Sequence, residues 1–410
     1  MRNKWILLAF LCLIFITYTV DRALLGLLVV PIQKDLGLTD VQFGFQSAAI
    51  FWTFSVCVPF SGLAGDRFNR AKLIGFAAVA WSAMAILAGF AGGFWTLFLF
   101  ASIALVAPQT MYGPSANALL AEQHVETRTV ALSCHQAAYY TGWCLSGAAV
   151  AGILALFGTW RAAFFTFGTV GLLLGALFLL WTGRTNKTSA TEQSKQSNNQ
   201  TIKQSLKSFF GCRTALLVSV CYVLEAFIGF GYCSWGTKFI AQKFGLAPSV
   251  AGTGVMFSYN IAAFLAILAT GFVTDRFVRK FPRFRLALSA GALVLQVPAL
   301  AVFGLAASLP LVWTSAVLLG AMIGVVGANQ FTMVFDVVPS QCRAGSIGFL
   351  NVIAGLVGST APIVLGTLSQ RFGVHGFEIG FASFGAAALV AIAGLAAAML
   401  FTFRSDLIKE

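Results

Sequence analysis

The sequence predicts an all-α integral membrane protein of twelve transmembrane helices, arranged as two pseudo-symmetric six-helix bundles. Three observations support this. Hydrophobic residues make up 59% of the 410-residue chain and charged residues only 10%, whereas a soluble domain carries about 25% charged residues. The apolar residues fall in twelve runs, six on each side of one polar segment, and each is long enough to cross about 30 Å of hydrocarbon. A charged turn, G-x-x-x-D-R-F-x-R, occurs once in each half, at Gly62–Arg70 and at Gly271–Arg279.

The runs cover residues 5–31, 42–64, 73–92, 96–120, 129–157 and 161–183, then 213–241, 249–274, 285–307, 311–337, 344–371 and 377–403. They are continuously apolar rather than alternating, which favours helices over barrel strands. The first run exceeds the signal-peptide hydrophobic region of about 7–15 residues, so it is expected to be span 1. The segment 184–212 is rich in Thr, Ser, Gln, Asn and Lys and poor in apolar residues. Such a composition buries too little surface to fold, so a flexible cytoplasmic linker is expected between bundle 1–183 and bundle 213–410.

Basic residues orient the chain. Of 26 Lys and Arg residues, Lys34, Arg161, Lys243 and Arg371 would face one side, and Arg22 and Lys238 would lie within or near the membrane. All the others would share the opposite side with both termini, which the positive-inside rule assigns to the cytoplasm. A bacterial inner membrane is the expected location. Topology thus accounts for the net charge of +13, and nucleic-acid binding is not expected. The halves also echo one another outside the charged turn, in Gln33-Lys34 and Gln242-Lys243, in Arg128 and Arg343, and in Phe157-Gly158 and Phe372-Gly373. Related halves joined by a linker are the pattern of transporters that rock two bundles around a central site.

Other chemistries are disfavoured. The 8 Cys residues sit almost entirely in apolar runs with no C-x-x-C pair, and there are only 3 His residues, so neither a disulfide framework nor a metal site is expected. No Walker-type phosphate loop is present. No cofactor and no enzymatic activity are expected, and a monomer is the expected state. The partners are the bilayer, a small-molecule substrate and protons.

Charges within hydrocarbon are costly and therefore mark function. Asp21 and Arg22 lie in span 1, with Glu225 and Lys238 in span 7. Arg22 offers a planar fork of donors suited to a substrate carboxylate, while Asp21 and Glu225 are the candidates for proton coupling. Glu225 has a competing reading as a static partner of Lys238 or of a neighbouring Tyr. Uncharged donors and acceptors that suit a hydroxylated substrate are Gln46, Gln109, Tyr112, Gln136, Tyr139, Tyr259, Asn260, Asn329 and Asn351. Many such groups serve instead as interhelical hydrogen bonds, each contributing about 0.6 kcal/mol. His135 reads equally as a packing residue or a proton relay.

The charged turn between spans 2 and 3, with Gly62, Asp66, Arg67 and Arg70, resembles the signature loop of the major facilitator superfamily. The resemblance covers the whole chain and implies that superfamily's fold and alternating access. It also implies a gate formed by Gly62, Asp66, Arg67, Arg70, Asp275, Arg276 and Arg279. Asp66 would lie against the start of span 11 near 344–346, and Asp275 against span 5 near Thr129. In span 1, Thr17-Tyr18-Thr19-Val20-Asp21-Arg22 and the following Val30-Pro31-Ile32-Gln33-Lys34-Asp35-Leu36-Gly37-Leu38 resemble the organic anion:cation symporters. Span 5, at Cys134-His135-Gln136-Ala137-Ala138-Tyr139-Tyr140-Thr141-Gly142, is similar to Spinster-like lipid transporters. The anion symporters carry an Arg and then a Glu in span 4. Aligned on Pro114, those places hold Ser102 and Gln109, so that carboxylate is missing. The resemblance implies proton-coupled transport of a small organic anion such as a sugar acid. The alternative is proton-driven export of amphipathic compounds or lysolipids. A non-transporting membrane sensor lacks any signalling module here.

Overall fold

A computed structural model describes residues 4–185, 199–278 and 280–408. Twelve helices among them are long and apolar enough to span a membrane. They are Lys4–Leu27, Asp40–Ser61, Arg70–Gly89, Phe94–Gln123, Val130–Phe157 and Trp160–Gly183, then Arg213–Phe244, Pro248–Val278, Phe284–Leu305, Leu309–Phe335, Gly345–Phe372 and Val374–Asp406, numbered here spans 1 to 12. No strand occurs among the described residues. Large apolar side chains such as Leu156, Phe272 and Phe401 are exposed, as expected where hydrocarbon replaces water as the solvent. The chain is an integral, multi-pass membrane protein.

The chain divides into two compact units. Unit 1 is Met1–Lys195 with Cys233–Phe257, and unit 2 is Gln196–Tyr232 with Ser258–Glu410. Residues 233–257, the end of span 7 and the start of span 8, group with unit 1. There a Cβ on Gly147 would lie 2.9 Å from the Gly252 carbonyl oxygen, and Trp235 meets Phe43 edge-on at 5.4 Å.

Packing follows the repeat. Span 3 pairs extensively with span 6 in unit 1, and the equivalent spans 9 and 12 pair in unit 2. One turn backbone repeats as well. Gly37 and Gly245 both have φ +64°, whereas Gly158 (φ +68°, ψ 1°) and Gly373 (φ +60°, ψ −137°) share the sign of φ but not the turn. Left-handed backbone at a helix end favours glycine, which has no Cβ to clash. After each of the first pair, the next amide reaches back to a helix carbonyl, Leu38 to Gln33 at 3.2 Å and Leu246 to Ala241 at 3.1 Å.

Several elements differ from the sequence expectation, including interruptions of span 11 at Ser359 and of span 12 at the π-helix Ala398–Thr402. Residues Asn199–Gly211, expected within the linker, form a helix. It buries Ser205 and Phe209 and packs against the start of span 11, so a few well-placed apolar residues supply the burial that average composition concealed. Span 4 is not one continuous helix. It runs as helix Phe94–Leu97, π-helix Phe98–Ala104, helix Val106–Gln109 and helix Tyr112–Gln123. Pro108 removes a backbone donor at the break, and wide π turns recur at functional sites.

Candidate substrate and coupling site

Asp21 and Arg22 point about 100° apart on span 1, and the helix gives them different surroundings. Asp21 is 4% exposed, and neither carboxylate oxygen has a hydrogen-bond partner. The Trp81 indole of span 3 faces it without completing a bond, and Trp81 Nε1 is also unpartnered. Burying a polar group unsatisfied costs about 1–3 kcal/mol. A proton on Asp21 removes its charge and supplies a donor, so the site is chemically suited to bind and release one.

Arg22 is half-buried. Its Nη1 donates to Tyr18 Oη at 3.3 Å, and its Cζ lies 4.6 Å from the Phe54 ring centre, 5.8 Å from Tyr18 and 5.9 Å from Phe51. No carboxylate pairs with it among the described residues. A guanidinium over rings keeps in-plane donors for an anion.

A buried aromatic cluster backs span 1. Tyr112 Oη donates to the Leu11 carbonyl at 2.6 Å and lies 2.8 Å from His135 Nε2. The phenol has one proton, already given to Leu11, so His135 Nε2 must be the donor to Tyr112. Phe15 stacks on His135 at 4.4 Å and approaches Tyr139 at 5.2 Å. His135 is 1% exposed, and this arrangement favours its packing role.

The uncharged residues singled out from sequence are mostly engaged. Gln46 donates to the Leu97 carbonyl at 3.0 Å and Ser102 Oγ at 2.8 Å, and Ser102 returns a bond to the Gln46 carbonyl. Gln46 and Tyr112 thus tie helices together within unit 1. Gln109 sits at the break in span 4, 1% exposed with both amide atoms unpartnered. Gln136 is exposed and Tyr139 half-buried.

Within unit 2, Asn329 donates to the Val325 carbonyl at 3.1 Å, and Asn351 accepts from Tyr222 at 2.6 Å. Tyr259 stacks on Tyr232 at 4.4 Å, and neighbouring Asn260 is 8% exposed. Glu225 Oε2 accepts from Gln296 of span 9 at 3.4 Å, while both residues retain an unpartnered Oε1. A buried carboxylate oxygen left without a donor also suits a bound proton. Gln296 went unremarked in the sequence, although a lone glutamine inside an apolar run was the available signal.

Lys238 does not pair with Glu225. It lies in unit 1, where Nζ donates to Gln33 Oε1 at 2.8 Å and pairs with Asp40, while Gln33 Nε2 donates to Asp40 at 2.8 Å. Of the expected gate, Arg70 pairs with Glu122 at the end of span 4, and Asp275 and Arg276 are exposed. The side chains of Asp66 and Arg67, everything beyond backbone at Gly62, and Arg279 lie outside the described residues.

The spans, the paired packing and the buried charges define a polytopic helical membrane protein built on two repeats. The pattern of the Major Facilitator Superfamily matches residues 10–362, and the chain belongs to that superfamily. Membership places it among membrane transporters, not enzymes. The chain is 21% identical to Protein spinster of Drosophila melanogaster, covering 91% of this chain and 63% of that protein. It is 22% identical to the hexuronate transporter of Bacillus subtilis (strain 168), covering 91% and 89%. A bacterial homologue of the human lysosomal transporter Spinster, crystallised inward-facing and occupied, superposes with TM-score 0.86 at 19% identity, covering 100% of this chain and 99% of that one.

Proposed function

We propose that this protein moves a small organic anion across the membrane by alternating access, coupled to protons, with both termini cytoplasmic. The observation that carries this reading is Arg22, a cation in the second half of span 1 with no carboxylate partner among the described residues. Burying such a charge is costly unless an anion repays it. Asp21 is the coupling carboxylate adjacent to it, and Glu225 a second. Relatives bearing the names hexuronate, galactarate/D-glucarate and D-galactonate transporter support an organic anion and make a sugar acid the first one to test. We assign Asp66, Arg67, Arg70, Asp275, Arg276 and Arg279 to a cytoplasmic gate, with bundles 1–183 and 213–410 as the moving halves.

Reconstituted protein tests this directly. Uptake of D-glucuronate should rise with an inward proton gradient and fall at least about tenfold in Arg22→Gln. Gradient-independent uptake would remove proton coupling. A second reading, export of amphipathic compounds or lysolipids, is favoured by the similarity to Spinster proteins and by Gln109 in place of a carboxylate. Movement of a lysolipid but no sugar acid would select it.

A further inference from the structure

The surroundings of Arg22 bear on which anion it holds, an inference that rests on the anion-binding reading above. A sugar acid carries several hydroxyls, and each needs a donor or acceptor within reach. Two of the polar groups singled out in unit 1 have their donors spent elsewhere. Gln46 and Tyr112 are fully buried, with their donors committed to Leu97, Ser102 and Leu11. What remains near the guanidinium is aromatic. Phe54 lies under it at 4.6 Å, Phe51 and Tyr18 flank it, and Tyr139 stands within its electrostatic reach. Phe51, Phe54 and Tyr139 are each half-buried, so their rings have surface left to offer. One strong anion recogniser walled by rings suits a single anionic head joined to a flat, apolar body.

We propose that the site selects aromatic monocarboxylates over polyhydroxylated acids, with Phe54 as a specificity-determining residue. The carboxylate would take the in-plane donors of Arg22, and the ring would lie against Phe54 and its neighbours. Stacking and apolar burial there reward a planar body, whereas a hydroxyl brought against those rings loses its water without replacement.

Binding to the purified full-length protein in lipid nanodiscs tests this with benzoate, octanoate and D-glucuronate as probes. Benzoate should bind about tenfold or more tightly than glucuronate. Phe54→Leu should weaken benzoate severalfold and leave glucuronate unchanged, with an unaltered melting temperature showing that the variant is folded. Glucuronate binding as tightly as benzoate overturns the proposal, as does an unchanged ratio in Phe54→Leu or no binding of either probe. Octanoate binding more tightly than benzoate overturns the planar-body assignment. Arg22→Gln separates the two levels of the argument. If it weakens every probe, anion binding at Arg22 stands whatever the selectivity; if it weakens none, the underlying reading fails.

Discussion

Lys238 Nζ donates to Gln33 Oε1 at 2.8 Å, and both side chains converge on Asp40. The three groups close a triangle beside Trp235, whose ring centre lies 5.5 Å from the ammonium. Lys238 and Asp40 are only 10% and 15% exposed, so neither charge is well hydrated. Within unit 1, the triangle ties the far end of span 7 to the segment joining spans 1 and 2.

Breaking that pair by Lys238→Met should destabilise the protein by about 2–4 kcal/mol, because Asp40 is left poorly hydrated without its cation. The double variant Lys238→Met/Asp40→Leu should recover much of the loss. Thermal unfolding in detergent measures both, and equal melting of wild type and the single variant would show the pair to be energetically idle.

Asp21→Asn preserves size and removes the titrating group. Proton-driven accumulation should fall at least about tenfold, while counterflow exchange between equal substrate pools persists. Retained accumulation would shift the coupling role to Glu225.

Outside the spans, Asp35 binds Arg161 and accepts from Trp160 Nε1 at 3.0 Å. The Arg161 hydrogen bond, then that of Trp160, holds its carboxyl below the ordinary value of 3.8. A carboxylate with a depressed folded pKa adds stability that is present above the unfolded pKa and lost as pH falls through the folded one. Wild type should therefore lose stability relative to Asp35→Asn as pH drops from 5 to 3 (about the carboxylate range). Parallel melting curves across that range would contradict it.

Gly142→Ala should destabilise by about 1–3 kcal/mol through overpacking, although Ala is the better helix former by about 1 kcal/mol. The new Cβ would strike Thr19 Oγ1 and lie 2.9 Å from the Ile16 carbonyl oxygen. Thr19 is poorly placed to yield, because its hydroxyl is tied to Phe15 and Ile16 at 3.1 and 2.9 Å. Denaturation or melting of the variant decides which effect wins.

Much of the fold is written locally. A run of apolar residues must satisfy its backbone internally in hydrocarbon, so composition and run length dictate helices and their number. Gly37 and Gly245 mark equivalent turns because only glycine takes that backbone without strain. Asp21 and Arg22 are legible for a related reason, since a charge in an apolar run is too costly to be incidental.

Partners are another matter. Nothing in the spacing of Lys238 and Asp40, 198 residues apart, tells which carboxylate the lysine meets, and Glu225 on its own helix was the nearer choice. Likewise Gln46 and Tyr112 read as open polar groups, whereas packing seals them against Ser102, Leu97, Leu11 and His135. The sequence by itself determined the twelve spans, the repeat and the charged residues, because each follows from solvation of a short stretch of chain. Only the tertiary structure decided which polar groups were already satisfied and that Arg22 faced rings instead of a carboxylate. Hydrogen bonds and ring contacts act over a few ångströms, and it is folding that brings distant residues within that range.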